Sequence, residues 1–225
     1  MHDLSGILLI DKPAGRSSFS LIPVLRRLTG VQTIGHAGTL DPFATGVLVM
    51  LVGRSFTKQS DQFLASEKEY RAQVKLGIAT DTFDCDGKPI ATSEKVPSLQ
   101  EIEECLKKFQ GKILQTPPMF SAKKVKGKKL YELARKGIEI ERAPVEITLS
   151  TTLISYAYPF LDLTVACSKG TYIRSIADEL GRELGCFGHL SSLVRTRSGS
   201  FNLSECHSWE QISSPSFDFK ASLKK

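Results

Sequence analysis

No apolar run in this chain approaches the length of a membrane span, and no two cysteines form a C-x-x-C pair. The five cysteines, Cys85, Cys105, Cys167, Cys186 and Cys206, are odd in number and widely separated. His2, His36, His189 and His207 are equally scattered, so neither a disulfide framework nor a zinc site is expected, and no metal is assigned. Neither G-x-x-x-x-G-K-[ST] nor a G-x-G-x-x-G following a strand occurs, which removes the common phosphate-loop and dinucleotide-binding readings. Asp81, Asp84 and Asp86 around Gly87 lack the downstream bidentate glutamate of a calcium loop, so they read as a polar hairpin. The opening Met1-His2-Asp3-Leu4-Ser5-Gly6 has no basic region leading into an apolar stretch; no secretion signal is expected, and a cytoplasmic location is.

What is present is a chain of 225 residues, 41% hydrophobic and 24% charged, with a net charge of +6. That is ample for a substantial core in one large domain or two small ones, and the excess of positive charge makes polyanions the favoured class of partner. Gly6 to Ile10 reads as a strand running into the turn Asp11-Lys12-Pro13-Ala14-Gly15. A helix follows from near Ser20, with Ser17 or Ser18 as cap, an apolar face of Leu21, Ile22, Leu25 and Leu28, and Gly30 as its stop. Val47 to Val52 reads as a fully buried strand and Ser55 to Leu64 as a helix. Tyr70, Ala72, Val74 and Leu76 alternate with polar residues, the pattern of a half-buried strand. Ser98 and Glu101 form a capping box for a helix ending near Phe109 and Gly111. Two strands, Val145 to Tyr156 and Phe160 to Cys167, precede a helix whose core face is Ile173, Ile176, Ala177, Leu180 and Leu184. A last strand covers Leu193 to Arg197, and the tail from about 204 carries no strong signal. Strand and helix do not alternate regularly, so the expected fold class is α+β, a mixed, largely antiparallel sheet flanked by helices.

Gly35-His36-Ala37-Gly38-Thr39-Leu40-Asp41-Pro42-Phe43-Ala44-Thr45-Gly46 is the stretch least like ordinary packing. Its three glycines and one proline read as a shaped loop, and it holds one carboxylate, Asp41, and one imidazole, His36. By itself an Asp before a Pro is more often a turn residue bonding its own backbone than a catalytic group. Arg174 falls in the first turn of a helix, where the dipole favours anions, so it calls for a carboxylate partner. Lys123, Lys124, Lys126, Lys128 and Lys129, with Arg135, Lys136 and Arg142, form the most basic segment, beside Met119, Phe120 and Tyr131. It reads either as a solvated surface or as an arm that grips phosphates.

Taken in order, these stretches resemble the TruB family of tRNA pseudouridine synthases: GILLIDKPAGRSS (6–18), GHAGTLDPFATG (35–46), Lys68-Glu69-Tyr70, PPMFSAKKVKGKKLYELARKGIEI (117–140), GTYIRSIADELG (170–181) and GHLSSLVRTRSG (188–199). The resemblance implies a single catalytic domain over 1–225 with the pseudouridine synthase fold and a basic insertion at about 117–143 that closes over the tRNA T-arm. It implies a cofactor-free isomerase converting uridine 55 of the T loop after flipping it out. Asp41 would act on the ribose C1′ side, as nucleophile or as base. Arg174 would pair with Asp41, and such pairing lowers a carboxyl pKa by about 1–3 units. Tyr70 would stack on the flipped base and assist proton removal at C5. Tyr172 and Leu193 would line the uracil pocket, His36 would contact RNA beside the displaced nucleotide, and Lys12 with Pro13 would support the floor of the site.

Two departures stand out. Leu193-Val194-Arg195-Thr196 has one arginine where the family usually has two after the leucine. Bacterial relatives commonly carry a further C-terminal RNA-binding PUA domain, which this chain is too short to hold in full; weaker tRNA binding is the expectation, with action as a monomer. The alternative in another class is a tRNA-binding folding chaperone with weak or no catalysis. A carboxylate glycoside hydrolase would call for a second acid near Asp41, which the sequence does not reveal.

Overall fold

The computed structural model describes residues 4–225 apart from 122, 126 and 135. The chain forms two compact units, one comprising the residues up to Tyr70 together with Leu193–Lys225, the other Arg71–Ser192.

In the first unit, the strand Gly6–Lys12 runs antiparallel to Thr45–Val52, with Ile10 opposite Leu48. Thr45–Val52 also pairs antiparallel with Ile34–Ala37, His36 lying opposite Met50, and parallel with the segment at Val194 and Arg195. The sheet is therefore mixed. Its central strand is apolar almost throughout because both faces are covered, which is what a continuous rather than alternating apolar run requires. One face carries Leu8, Ile10, Leu48, Met50 and Val52 against Leu21, Ile22 and Leu25 of the helix Leu21–Thr29; the other carries Ile7, Leu9, Val47, Val49 and Leu51 against Phe56, Phe63 and Phe201. The helix ends where Gly30 takes a left-handed conformation and its N–H returns to the Arg26 carbonyl.

The second unit is built on the antiparallel strands Gln110–Gln115, Val145–Ala157 and Phe160–Cys167, in that order. The helix Leu99–Leu106 opens with the expected capping box at Ser98 and Glu101. The helix Ile173–Glu183 buries Ile173, Ile176, Ala177 and Leu180. Asp81, Asp84 and Asp86 lie between the short antiparallel strands Ile78–Thr80 and Pro89–Thr92, the polar hairpin read from the sequence. In the basic segment Lys124–Val125 pairs with Lys128–Lys129; Lys126 and Arg135 lie outside the described residues.

Several local expectations are corrected. Gly35 to Ala37 belongs to a strand, because Ile34 and Ala37 bury against Thr45–Val52, and the loop proper is narrowed to the residues between those strands. Ser55 to Leu64 is two short helices, Arg54–Thr57 and Ser60–Ala65, neither of which has a side-chain cap bond to carry it into a longer one. The helix from Leu99 stops at Leu106, and Gln110–Gln115 is a strand paired to Val145–Ala157. The last long strand starts earlier, at Gly188, and Leu28 is 38% exposed. The tail is also more ordered than its composition implies: His207–Ser208 pairs with the first strand, and Trp209–Ser213 is a helix.

Candidate active site

The loop carrying Asp41 has few regular backbone partners, so buried polar side chains supply them. Ser18, fully buried, has its hydroxyl 2.9 Å from the Leu40 N–H and 3.1 Å from the Leu40 carbonyl, accepting from the first and donating to the second. Lys12 is fully buried, and its ammonium donates to the carbonyls of Arg16 (2.6 Å), Pro13 (2.8 Å) and Pro42 (3.1 Å). Arg195, 1% exposed, donates to the carbonyls of Val47 (2.7 Å) and Gly38 (2.9 Å), beyond the two ends of the turn. Gly46 donates to the Asp11 carboxylate at 3.1 Å. A side chain at 46 is excluded: with φ at 100°, a Cβ would stand 2.3 Å from the Arg195 carbonyl oxygen. Asp41 is thus half-buried on a turn whose neighbours on both sides are fixed.

The electrostatics of this pocket are mixed. Burial pushes the Lys12 ammonium down to about 8; Arg195 adds to the push, while Asp41 and Asp11 pull against it. Three carbonyl acceptors saturate the three donors of a charged ammonium, so Lys12 is a structural cation under the loop. Below pH 8 its burial cost is present in full. Between pH 8 and 10.5 the unfolded chain keeps a proton that the folded chain sheds, so stability rises with pH. The parent is therefore expected to gain on Lys12→Met by up to about 3 kcal/mol across that window, as read from urea unfolding at pH 7.5, 9 and 10.5. A difference that stays constant over those three pH values would rule the effect out.

His36 is half-buried, and its Nδ1 has no hydrogen-bond partner among the described residues. Burial, aided by Arg195, holds its imidazole below the ordinary value, which favours an uncharged ring at neutral pH. Tyr70, on the strand Lys68–Leu76, is 8% exposed, and Leu193 is 5% exposed. Asp41, His36, Tyr70, Leu193 and Lys12 all belong to the first unit.

Arg174 and Tyr172 belong to the second unit, at the start of the helix Ile173–Glu183. Arg174 is 5% exposed and donates to the carbonyls of Phe120 (2.8 Å) and Thr82 (3.1 Å) and to the Asp84 carboxylate (3.2 Å). Asp84 is itself held, its carboxylate accepting from the Thr82 hydroxyl at 2.6 Å and the Asp86 N–H at 3.1 Å. Gln115, 1% exposed, brackets Tyr172 from both sides: its amide oxygen accepts from the Tyr172 N–H (2.8 Å) and its amide nitrogen donates to the Tyr172 carbonyl (3.1 Å). Neither Asp84 nor Gln115 was singled out from the sequence as a site residue. Each sits in a local pattern, an Asp-rich turn and a strand end before Pro117, that says nothing of its distant partner.

Residues 26–173 match the model of the TruB family pseudouridylate synthase (N terminal domain), and residues 174–222 match the tRNA pseudouridylate synthase B C-terminal domain. The chain belongs to the TruB family. Within that family it is 60% identical over 209 residues to the tRNA pseudouridine synthase B of Protochlamydia amoebophila (strain UWE25), covering 93% of this chain and 80% of that protein. It is 58% identical over 215 residues to the tRNA pseudouridine synthase B of Chlamydia muridarum (strain MoPn / Nigg), covering 96% and 89%. Among solved structures it is similar to a chain of a Cbf5-Nop10-Gar1 complex, with a TM-score of 0.73 and 26% identity over 94% of this chain and 54% of that one. It also shares its fold with a chain of an H/ACA RNP bound to a substrate RNA containing 2′-deoxyuridine, with a TM-score of 0.70 and 23% identity over 98% and 59%. The chain spans a little over half the length of those two. The α+β fold class read from the sequence is the one these structures share, and as a TruB family member the chain is a pseudouridine synthase, an isomerase. No helix among the described residues is long and apolar enough to cross a membrane.

Proposed function

We propose that this TruB family member isomerises uridine 55 in the T loop of tRNA to pseudouridine, acting on the T-arm in the cytoplasm, with Asp41 as the reacting carboxylate. The observation that carries the reading is the fixing of the Asp41 turn by Lys12, Ser18 and Arg195, which bond its flanking backbone at Pro42, Leu40 and Gly38. A carboxylate that must meet one ribose carbon gains from a base that does not reorganise during the reaction.

Uridine and pseudouridine have the same composition, so the reaction moves atoms within the substrate and needs no outside oxidant or reductant. The bond between uracil N1 and ribose C1′ breaks, the base turns while held, C5 bonds to C1′, and the C5 proton passes to N1 through groups of the site. Asp41 acts at the ribose, either by adding to C1′ or by taking a ribose proton. In this reading Arg174 pairs with Asp41 and keeps it ionised, and Tyr70 stacks on the extruded base and assists proton removal at C5. Tyr172 and Leu193 close on the uracil. Extrusion costs a few kcal/mol of lost stacking, and a base stacked on an aromatic ring recovers about 1–3 kcal/mol. An uncharged His36 ring beside the vacated position suits the same purpose. The basic segment would supply phosphate contacts, sensitive to salt.

The test is mass-spectrometric mapping of pseudouridine in an unmodified tRNA transcript incubated with the protein alone, beside a transcript in which the T-loop uridine is replaced by cytidine. Product at that uridine in the first transcript and none in the second is the expected result. Product elsewhere would overturn the position, and binding without product would favour a chaperone role.

A further inference from the structure

The tail carries no functional signal in the sequence, yet it lies along the strand Gly6–Lys12, which runs into the turn at residues 13–16 that bonds the Asp41 loop at Pro42. His207 and Ser208 pair in parallel with Ile10 and Asp11. The Ser208 hydroxyl accepts from the Gln211 N–H and opens the helix Trp209–Ser213, which places Trp209 at its first position, packed against the core layer of Leu8, Ile10 and Leu48. The Arg16 guanidinium lies over the indole, 5.3 Å from its centroid. The Arg16 carbonyl is the shortest of the three acceptors of the Lys12 ammonium, and the same ammonium bonds Pro42. The Gly15 N–H donates to that Pro42 carbonyl as well, at 2.9 Å. Contacts therefore run from Trp209 through Arg16 and Lys12 to Pro42, one residue from Asp41.

We propose that the stack of Arg16 on Trp209 is a positioning pair for the Asp41 turn, holding residues 13–16 over the Lys12 ammonium so that Lys12 holds Pro42. This rests on the reading of Asp41 as the reacting group. Ala14, Gly15 and Arg16 are exposed, so the turn has little packing of its own to select one conformation, and such segments open most easily. A surface cation–π contact biases such an equilibrium by about two- to fivefold. The Trp209 ring adds an anchor because it is fixed to the sheet by the pairing of His207–Ser208. Neither side chain is assigned contact with the reacting atoms; the pair acts through backbone carbonyls. Misplacement of a reacting group by a fraction of an ångström lowers turnover more than binding.

The experiment measures kcat and KM on a tRNA transcript, together with amide hydrogen exchange, for the parent, Trp209→Ala, Trp209→Phe and Arg16→Met. Trp209→Ala is expected to lower kcat about three- to fivefold with KM within about twofold, and to speed exchange in residues 13–16 and 38–46. Trp209→Phe, which keeps an aromatic face, is expected to restore most of kcat. Parent-like kcat and exchange in Trp209→Ala would overturn the proposal. So would a loss that Trp209→Phe does not recover and that comes with faster exchange throughout the first unit, the signature of plain packing. If Trp209→Ala does not fold, Arg16→Met carries the same exchange test at an exposed position. A parent that makes no pseudouridine would instead defeat the Asp41 reading, and the exchange comparison would still decide whether the stack holds the turn.

Discussion

Asp41→Asn is expected to lower kcat for pseudouridine formation by on the order of 10⁴-fold, while KM for tRNA stays within about threefold and the unfolding midpoint within about 2 °C of the parent. The separation follows from how the turn is held. Its backbone is fixed through Leu40, Pro42, Gly38 and Gly46, by Ser18, Lys12, Arg195 and Asp11, and none of these bonds uses the side chain at 41. Asparagine has the same shape and keeps an acceptor oxygen, so the backbone bonds that hold the loop are left in place. An amide, however, neither adds to a ribose carbon at a useful rate nor takes up a proton, which removes both proposed roles together. Single-turnover assays with enzyme in excess read the chemical step directly. Residual turnover above about one part in a hundred would take Asp41 out of that step.

Much of the fold was legible because it rests on local pattern. Val47 to Val52 is apolar at every position, which the two-sided burial of the central strand requires, and Tyr70 to Leu76 alternates as a strand with one buried face must. The Ser98 capping box and the Gly30 stop were readable for the same reason: the partner of each group lies within a few residues. His36, Asp41, Tyr70, Leu193 and Lys12, named from the family motifs, belong to one unit. What holds those residues was less legible. Arg195 supports Gly38 from 157 positions away, Gln115 brackets Tyr172 from 57, and Asp84 meets Arg174 from 90. An aspartate in Thr82-Phe83-Asp84-Cys85-Asp86 has the local appearance of a turn former whether or not an arginine reaches it. Its burial, with 4% of its surface exposed, is set by Leu190 and the helix bearing Arg174, and composition of the hairpin alone does not encode it.

That burial makes Asp84 the second position where a large effect is expected. Asp84→Ala should lower the stability of the protein by about 3–5 kcal/mol, a fall of about 6–20 °C in the unfolding midpoint, because it takes one partner from a buried ion pair. The side chains of Asp84 and Arg174 are each 6% exposed, so water does not replace the lost carboxylate. The Thr82 hydroxyl and the Asp86 N–H lose their acceptor in the same step. Asp84→Asn, which keeps an oxygen in place, should cost less, and Asp86→Asn, at an exposed position, should stay within about 0.5 kcal/mol of the parent. Activity should fall in Asp84→Ala beyond what unfolding explains, since Arg174 would lose one of the groups that orient it beside the carbonyls of Thr82 and Phe120. The double variant Asp84→Ala with Arg174→Met separates the two effects. Removing both charges from a buried pair commonly restores stability, so its midpoint should rise above that of Asp84→Ala alone, while turnover should not return if Arg174 serves the reaction. Unfolding midpoints of the single and double variants, read beside kcat at a temperature where all are folded, decide between a pair that only holds the hairpin to its helix and one that also aims an arginine at the substrate.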